Sequence, residues 1–157
     1  MGFLGRINFG AGVLAAALIV VMTAIVLYDV FRRYVLNDPT IWAFDIASFL
    51  LVYVIFLGLG LALQDGSHVS VDLFLGLTRG RTRRALRLVG LILTVLYGGI
   101  LTWVISRYTI QAIELDWKAI SLVPIPLKYV YVVGPLGALL FTLTAIVLTV
   151  RLLRSEA

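Results

Sequence analysis

The chain holds a single histidine, His68, set between Asp65 and Asp72 in the stretch LQDGSHVSVDLF of residues 63–74. An imidazole flanked by carboxylates could in principle hold a metal ion or move a proton. A metal site needs three or four ligands in a fixed geometry, and one histidine, no cysteine and two aspartates bordering a polar turn do not supply them. No Ser-His-Asp set, phosphate-cradling glycine loop or HExxH run is present, so no catalytic machinery and no cofactor are implied. As a structural element the stretch reads differently. Gly66 suits a helix end, Ser70 caps a short helix with Asp72 in its first turn, and Val71, Phe74 and Leu75 share an apolar stripe. The pattern predicts a turn and then a short interfacial helix, with His68 hydrogen bonding across the turn.

A second ionisable group lies in YDVFRRYVLNDPTIWAFDIASF, residues 28–49. Asp29 and Arg33 are spaced i,i+4 and can pair along one helix, while Asp45, beyond a short loop, can reach across to Arg32 or Arg33. Such a cluster is either a polar clamp between two helices or a pair of arginines extending to lipid headgroups. A third group, Glu114, Asp116 and Lys118 around Trp117, reads as a solvated surface that could also meet a partner, together with Trp42, Pro124 and Pro126.

The elements that carry these groups follow from composition. Hydrophobic residues are 62% of the 157 and charged residues 13%, too little polar surface to coat a water-soluble globule. Uncharged runs at 9–28, 46–63, 88–106 and 129–150 are 20, 18, 19 and 22 residues long, each enough for a helix across about 30 Å of hydrocarbon. They are apolar all round, whereas a lipid-facing strand alternates. The expected fold is an all-α integral membrane protein, one four-helix domain over 1–157 with spans at about 9–34, 42–64, 84–107 and 127–151. The first run is longer than the core of a signal peptide and is expected to stay attached. With no cysteine, disulfides and thiolate chemistry are excluded.

The net charge of +5 sits beside the spans and not on a soluble basic domain, so lipid and orientation explain it and nucleic acid does not. Arg6, Arg79, Arg81, Arg83, Arg84, Arg87, Arg151 and Arg154 fall on one face, against Arg32, Arg33, Arg107, Lys118 and Lys128 on the other. The positive-inside tendency therefore places both termini and the 65–87 turn in the cytoplasm. Arg83, Arg84 and Arg87 open the third helix, where the macrodipole disfavours cations, so anionic lipid is the expected partner of the basic cluster Arg79, Arg81, Arg83, Arg84 and Arg87. Trp42, Trp103 and Trp117 gather near the opposite face as an interfacial belt. Pro124 and Pro126 predict an extended segment that stops before the fourth helix, whose small residues Gly134, Gly137 and Ala138 offer a close-packing face.

The order of these features resembles the small membrane subunit, DctQ type, of tripartite ATP-independent periplasmic (TRAP) transporters. The resemblance rests on Arg33-Tyr34 followed by Pro39 and Trp42, the acid Asp45, the turn with Gly66, His68 and Asp72, and the stretch from Ser121 to Pro124. In such subunits the acid opening helix two is commonly glutamate; here it is one methylene shorter. The resemblance implies a bacterial inner-membrane subunit that braces a large membrane subunit during sodium-coupled uptake of an organic acid, with a periplasmic binding protein as transient partner. The competing reading is an independent proton-coupled exporter using Asp29 or Asp45 as carrier, but both acids lie near helix ends and not mid-span.

Overall fold

Lipid offers no hydrogen bonds to a backbone, so a long apolar run must satisfy its own N–H and C=O groups, and the β-branched residues that would weaken a helix in water do not prevent one here. The computed structural model describes residues 2–65, 81–119 and 124–154, with side chains at all of these but 81–84. Its helices are α1 (Phe3–Val35), α2 (Ala43–Gln64), α3 (Arg81–Glu114), a short α4 (Leu127–Tyr131) and α5 (Val133–Arg154). Four segments are long and apolar enough to cross a membrane, the last being α4 and α5 together. The interfacial helix expected after Ser70 lies outside the described residues.

Hydroxyls inside the spans are absorbed by the helices themselves. Thr23, Thr94, Thr142 and Thr149 each donate to the carbonyl four residues back at 2.8 Å, which removes a bare donor from hydrocarbon. Two helices run past their predicted ends. α1 begins at Phe3, six residues before the uncharged run, and α3 continues to Glu114, seven residues beyond the predicted 107. Residues 107–114 hold no glycine or proline, so nothing stops the helix until Asp116 takes φ 42°. There Trp117 N–H donates to Ala112 O at 3.1 Å and Asp116 N–H to Ile113 O at 3.4 Å, the pairing of a Schellman cap with aspartate where glycine is usual.

The fourth span, expected as one run over 127–151, is interrupted at Val132. Pro135 supplies the reason, since it has no N–H to offer Tyr131 O one turn back. Thr109 Oγ1 of α3 lies 3.2 Å from that carbonyl and shares its one proton between it and Ile105 O of its own helix at 2.9 Å, and Tyr129 O accepts from the hydroxyl of Tyr53 in α2. The break is thus tied to both neighbouring helices.

The helices form an open row in the order α1, α2, α5, α3, with α5 seated between α2 and α3 and α1 against α2. The small residues of α5 make this possible. Gly134, Gly137, Ala138 and Ala145 are buried, and a Cβ built at Gly137 would lie 2.7 Å from the backbone carbon of Phe56. Leu63, Phe141 and Ala145 form a buried apolar cluster between α2 and α5, flanked by Leu59, Val95 and Leu148. The packing face predicted on the fourth helix is therefore used within the chain.

Gly137→Ala should lower stability by roughly 1–3 kcal/mol, because Phe56 backbone must retreat from the added methyl. Gly99→Ala, with nothing within 4 Å of its Cβ position, should instead gain up to about 1 kcal/mol from helix propensity. Thermal unfolding of the purified chain in detergent reads both; equal shifts in the two variants would contradict the close α2–α5 approach.

Candidate functional site

Two polar clusters and one cleft lie on the helices just described. The first cluster closes the end of the row that carries the 36–42 loop. α1 ends where Asn37 turns through φ 49°, a left-handed conformation asparagine tolerates, and the chain doubles back over the last turns of the helix. Asp29 is the anchor. Its Oδ1 accepts from Thr40 N–H at 3.0 Å and from the Thr40 hydroxyl, and its Oδ2 lies 2.6 Å from Arg33 Nη2. The side chain of Asp29 is 13% exposed and that of Arg33 52%, so the carboxylate is shielded while the guanidinium reaches out. Arg32 is held separately: it pairs with Asp38, donates through Nε to Asp38 O at 3.2 Å and through Nη1 to Tyr28 Oη at 3.2 Å. Tyr28 in turn stacks on Trp42 with ring centroids 6.3 Å apart.

The expected bridge from Asp45 to Arg32 or Arg33 is not formed. Both arginines find acids closer along the chain, Asp29 one turn back and Asp38 in the loop, and these local pairs need no second helix to be brought into register. Asp45 sits in the first turn of α2, where unpaired backbone N–H groups and the helix dipole favour a carboxylate. Among the described residues it has no ion-pair partner. It is half-buried and lines an open cleft of about 620 Å³ between the start of α2 and the third loop.

The far wall of that cleft is built by the third loop. Leu127 N–H donates to Trp117 O at 2.8 Å and Ala119 N–H to Ile125 O at 3.0 Å, closing a narrow antiparallel bridge between Lys118 and Pro126. Pro126 is extended, as its ring and its neighbour's restriction predict, and stands at the N-terminus of α4. Asp116 lies 3.5 Å from Lys128 Nζ and 4.0 Å from Lys118 Nζ, all three exposed enough for solvent to weaken the pairs. Glu114 and Pro124 are exposed, and Trp117 is half-buried against the cleft. On the opposite end Arg87 is exposed, Arg81, Arg83 and Arg84 lie in the first turn of α3, and Arg79, His68 and Asp72 fall outside the described residues.

The second cluster was not anticipated from the sequence. Asn8, 1% exposed, donates from Nδ2 to Thr144 Oγ1 at 2.8 Å and to Gln64 Oε1 at 3.2 Å, joining α1, α5 and α2 at the end of the row opposite the 36–42 loop. Thr144 spends its own proton on Leu140 O at 2.7 Å, which leaves its oxygen free to accept. Asn8 Oδ1 is buried without a donor and sits where a Cβ at Gly60 would come within 2.5 Å, so the glycine makes room for the amide. The available signal was a lone amide one residue before the first uncharged run, matched by Gln64 just after the second.

Residues 22–155 match the family of tripartite ATP-independent periplasmic transporters, DctQ component. The chain belongs to this family. It is also similar to the sialic acid TRAP transporter small permease protein SiaQ of Vibrio cholerae serotype O1, 34% identical over 61 residues; the match spans 39% of this chain and 33% of that relative's length. A DctQ chain is a component of a transporter and not an enzyme, and the four apolar spans make this one a multi-pass membrane protein. The matched residues begin after Asn8 and include its two partners, Gln64 and Thr144.

Asn8→Ala should destabilise the chain by roughly 1–2 kcal/mol, at about 0.6 kcal/mol per interhelical hydrogen bond in membranes plus the stranded partners. An unchanged thermal midpoint would show that the knot contributes nothing. Asp29→Ala should release the loop and speed amide hydrogen exchange at Thr40, whereas Asp45→Asn should leave that exchange unaltered. Mass-spectrometric exchange on peptides covering residues 36–42 separates the two.

Proposed function

We propose that the chain is the small membrane subunit of a TRAP transporter in a bacterial inner membrane. In this reading it braces the large membrane subunit, which carries an organic acid with sodium after capture by a periplasmic binding protein. The observation that supports a brace most directly is the open row: in the most apolar windows of α1 and α3, only 6% of residues are buried within the chain. In hydrocarbon such edges gain from close packing against other helices, by dispersion and by small-residue contacts, so two edge helices suit a subunit that binds along another protein. The sialic acid in the relative's name fits a sugar acid as cargo.

Chemistry within the chain supports the same reading. The runs 46–63, 88–106 and 129–150 hold no Asp, Glu, Lys, Arg or His, so no file of charged groups crosses the row. Asp29 is committed to Thr40 and Arg33, and Asp45 stands in the first turn of α2, which leaves an independent exporter without a mid-span proton carrier. Eight basic residues near the termini and the 65–87 turn, against five on the other face, favour cytoplasmic termini. Asp29, Arg32, Arg33, Asp45, His68 and Asp72 then serve structure and not transport.

Reconstitution tests this. The purified chain alone in liposomes should give no sodium- or proton-driven uptake, and a co-expressed large subunit should co-purify with it in a fixed ratio. Uptake by the chain alone would overturn the proposal.

A further inference from the structure

The cleft at Asp45 has a charge arrangement that the described residues leave unmatched. One wall is the first two turns of α2, which present Asp45 beside the phenyl rings of Phe44 and Phe49; the other is the third loop, which presents Trp117, Lys118 and Leu127. Ser48 does not answer Asp45, because its hydroxyl donates to Phe44 O at 2.8 Å. The helix N-terminus offsets part of the carboxylate's cost but supplies no counter-charge. On the opposite wall Lys118 lines the cleft, and its nearest acid, Asp116, stands 4.0 Å away and is nearer to Lys128 at 3.5 Å. The cleft thus has an unpaired carboxylate on one wall and a loosely held ammonium on the other.

Its depth is set by the same elements. Asp45 immediately precedes the uncharged run 46–63, and the run 129–150 begins just after Leu127 and Lys128, so the cleft opens at the membrane–water boundary. Trp117 stands in that boundary as interfacial tryptophans do. Phe44, 80% exposed, and Leu127 extend the lining toward hydrocarbon.

We propose that this cleft binds the headgroup of a zwitterionic phospholipid with a primary ammonium, phosphatidylethanolamine in type, with Asp45 taking the ammonium, Lys118 the phosphate and the apolar wall the glycerol end of the chains. A lysine or arginine from a protein partner would answer Asp45 but set a second cation beside Lys118. An anionic headgroup would answer Lys118 and face Asp45 with a like charge. A quaternary ammonium has no N–H to donate to the carboxylate. Of the phosphatidylethanolamine, phosphatidylcholine and phosphatidylglycerol headgroups, only the ethanolamine zwitterion offers both a primary ammonium and a phosphate. The proposal depends on the spans and the cleft and not on the transport reading.

The test is native mass spectrometry of the full chain released from nanodiscs of equal parts phosphatidylethanolamine, phosphatidylcholine and phosphatidylglycerol. Wild type should retain one phosphatidylethanolamine per chain, several-fold over the other two. Asp45→Asn should abolish that preference with no more than the small drop in thermal midpoint that loss of a first-turn carboxylate brings, and Lys118→Gln should weaken retention of all three lipids. Equal retention of the three by wild type, or an unchanged preference in Asp45→Asn, overturns the proposal. So does a complex with the large subunit that lacks the lipid while Asp45 is protected from carbodiimide labelling, since a protein group would then fill the cleft.

Discussion

The contact of Gly137 with the backbone of Phe56 holds the rest of the row in place. Helices in lipid are not driven together by water, so association depends on how closely two backbones can approach and on what they exchange when they do. With no side chain at position 137, α5 can lie against α2, and Gly134, whose Cβ position is 2.5 Å from Ile105, lets it come close to α3 as well. Because α5 also contacts α3, the position of α3 depends in turn on the contact at Gly137. Only α1 is placed independently of it, by its contact with α2 and by the Asn8 amide that reaches both α2 and α5.

Hydrogen bonding between the helices is sparse and falls where the backbone is broken or a side chain cannot satisfy itself. Pro135 frees a carbonyl in the fourth span, and Thr109 of α3 shares its proton between that carbonyl and its own helix. Tyr53 answers a second carbonyl from α2. The threonines elsewhere turn to their own helices, and Thr102 and Thr142 also meet across α3 and α5 at 3.2 Å. The break in the fourth span is thus a place where three helices are joined, and the proline that makes it also makes the joint possible.

Charge is handled locally. Asp29, Arg33 and Arg32 are all satisfied within twelve residues of chain by each other and by the loop at 38–40, which turns the end of α1 into a closed cap. Asp45 is what that arrangement leaves over, and it lines one cleft together with Lys118 of the third loop.

By itself the sequence determined the class, the number of spans and the family, because each depends on one-dimensional quantities: runs of uncharged residues longer than a bilayer is thick, and short motifs in order. It also determined the Asp29–Arg33 pair, since i,i+4 neighbours meet on any helix. It did not decide which acid Arg32 would take, because that choice depends on a left-handed turn at Asn37 that folds the loop back before α2 begins. Nor did it decide the end of α3 or the break at Val132, where the deciding groups are a cap at Asp116 and a missing N–H at Pro135. The open row and the Asn8 knot were fixed by tertiary structure alone: which faces of four uniformly apolar helices turn toward each other is not written in their periodicity, and a glycine or an amide acquires a role only from what stands opposite it.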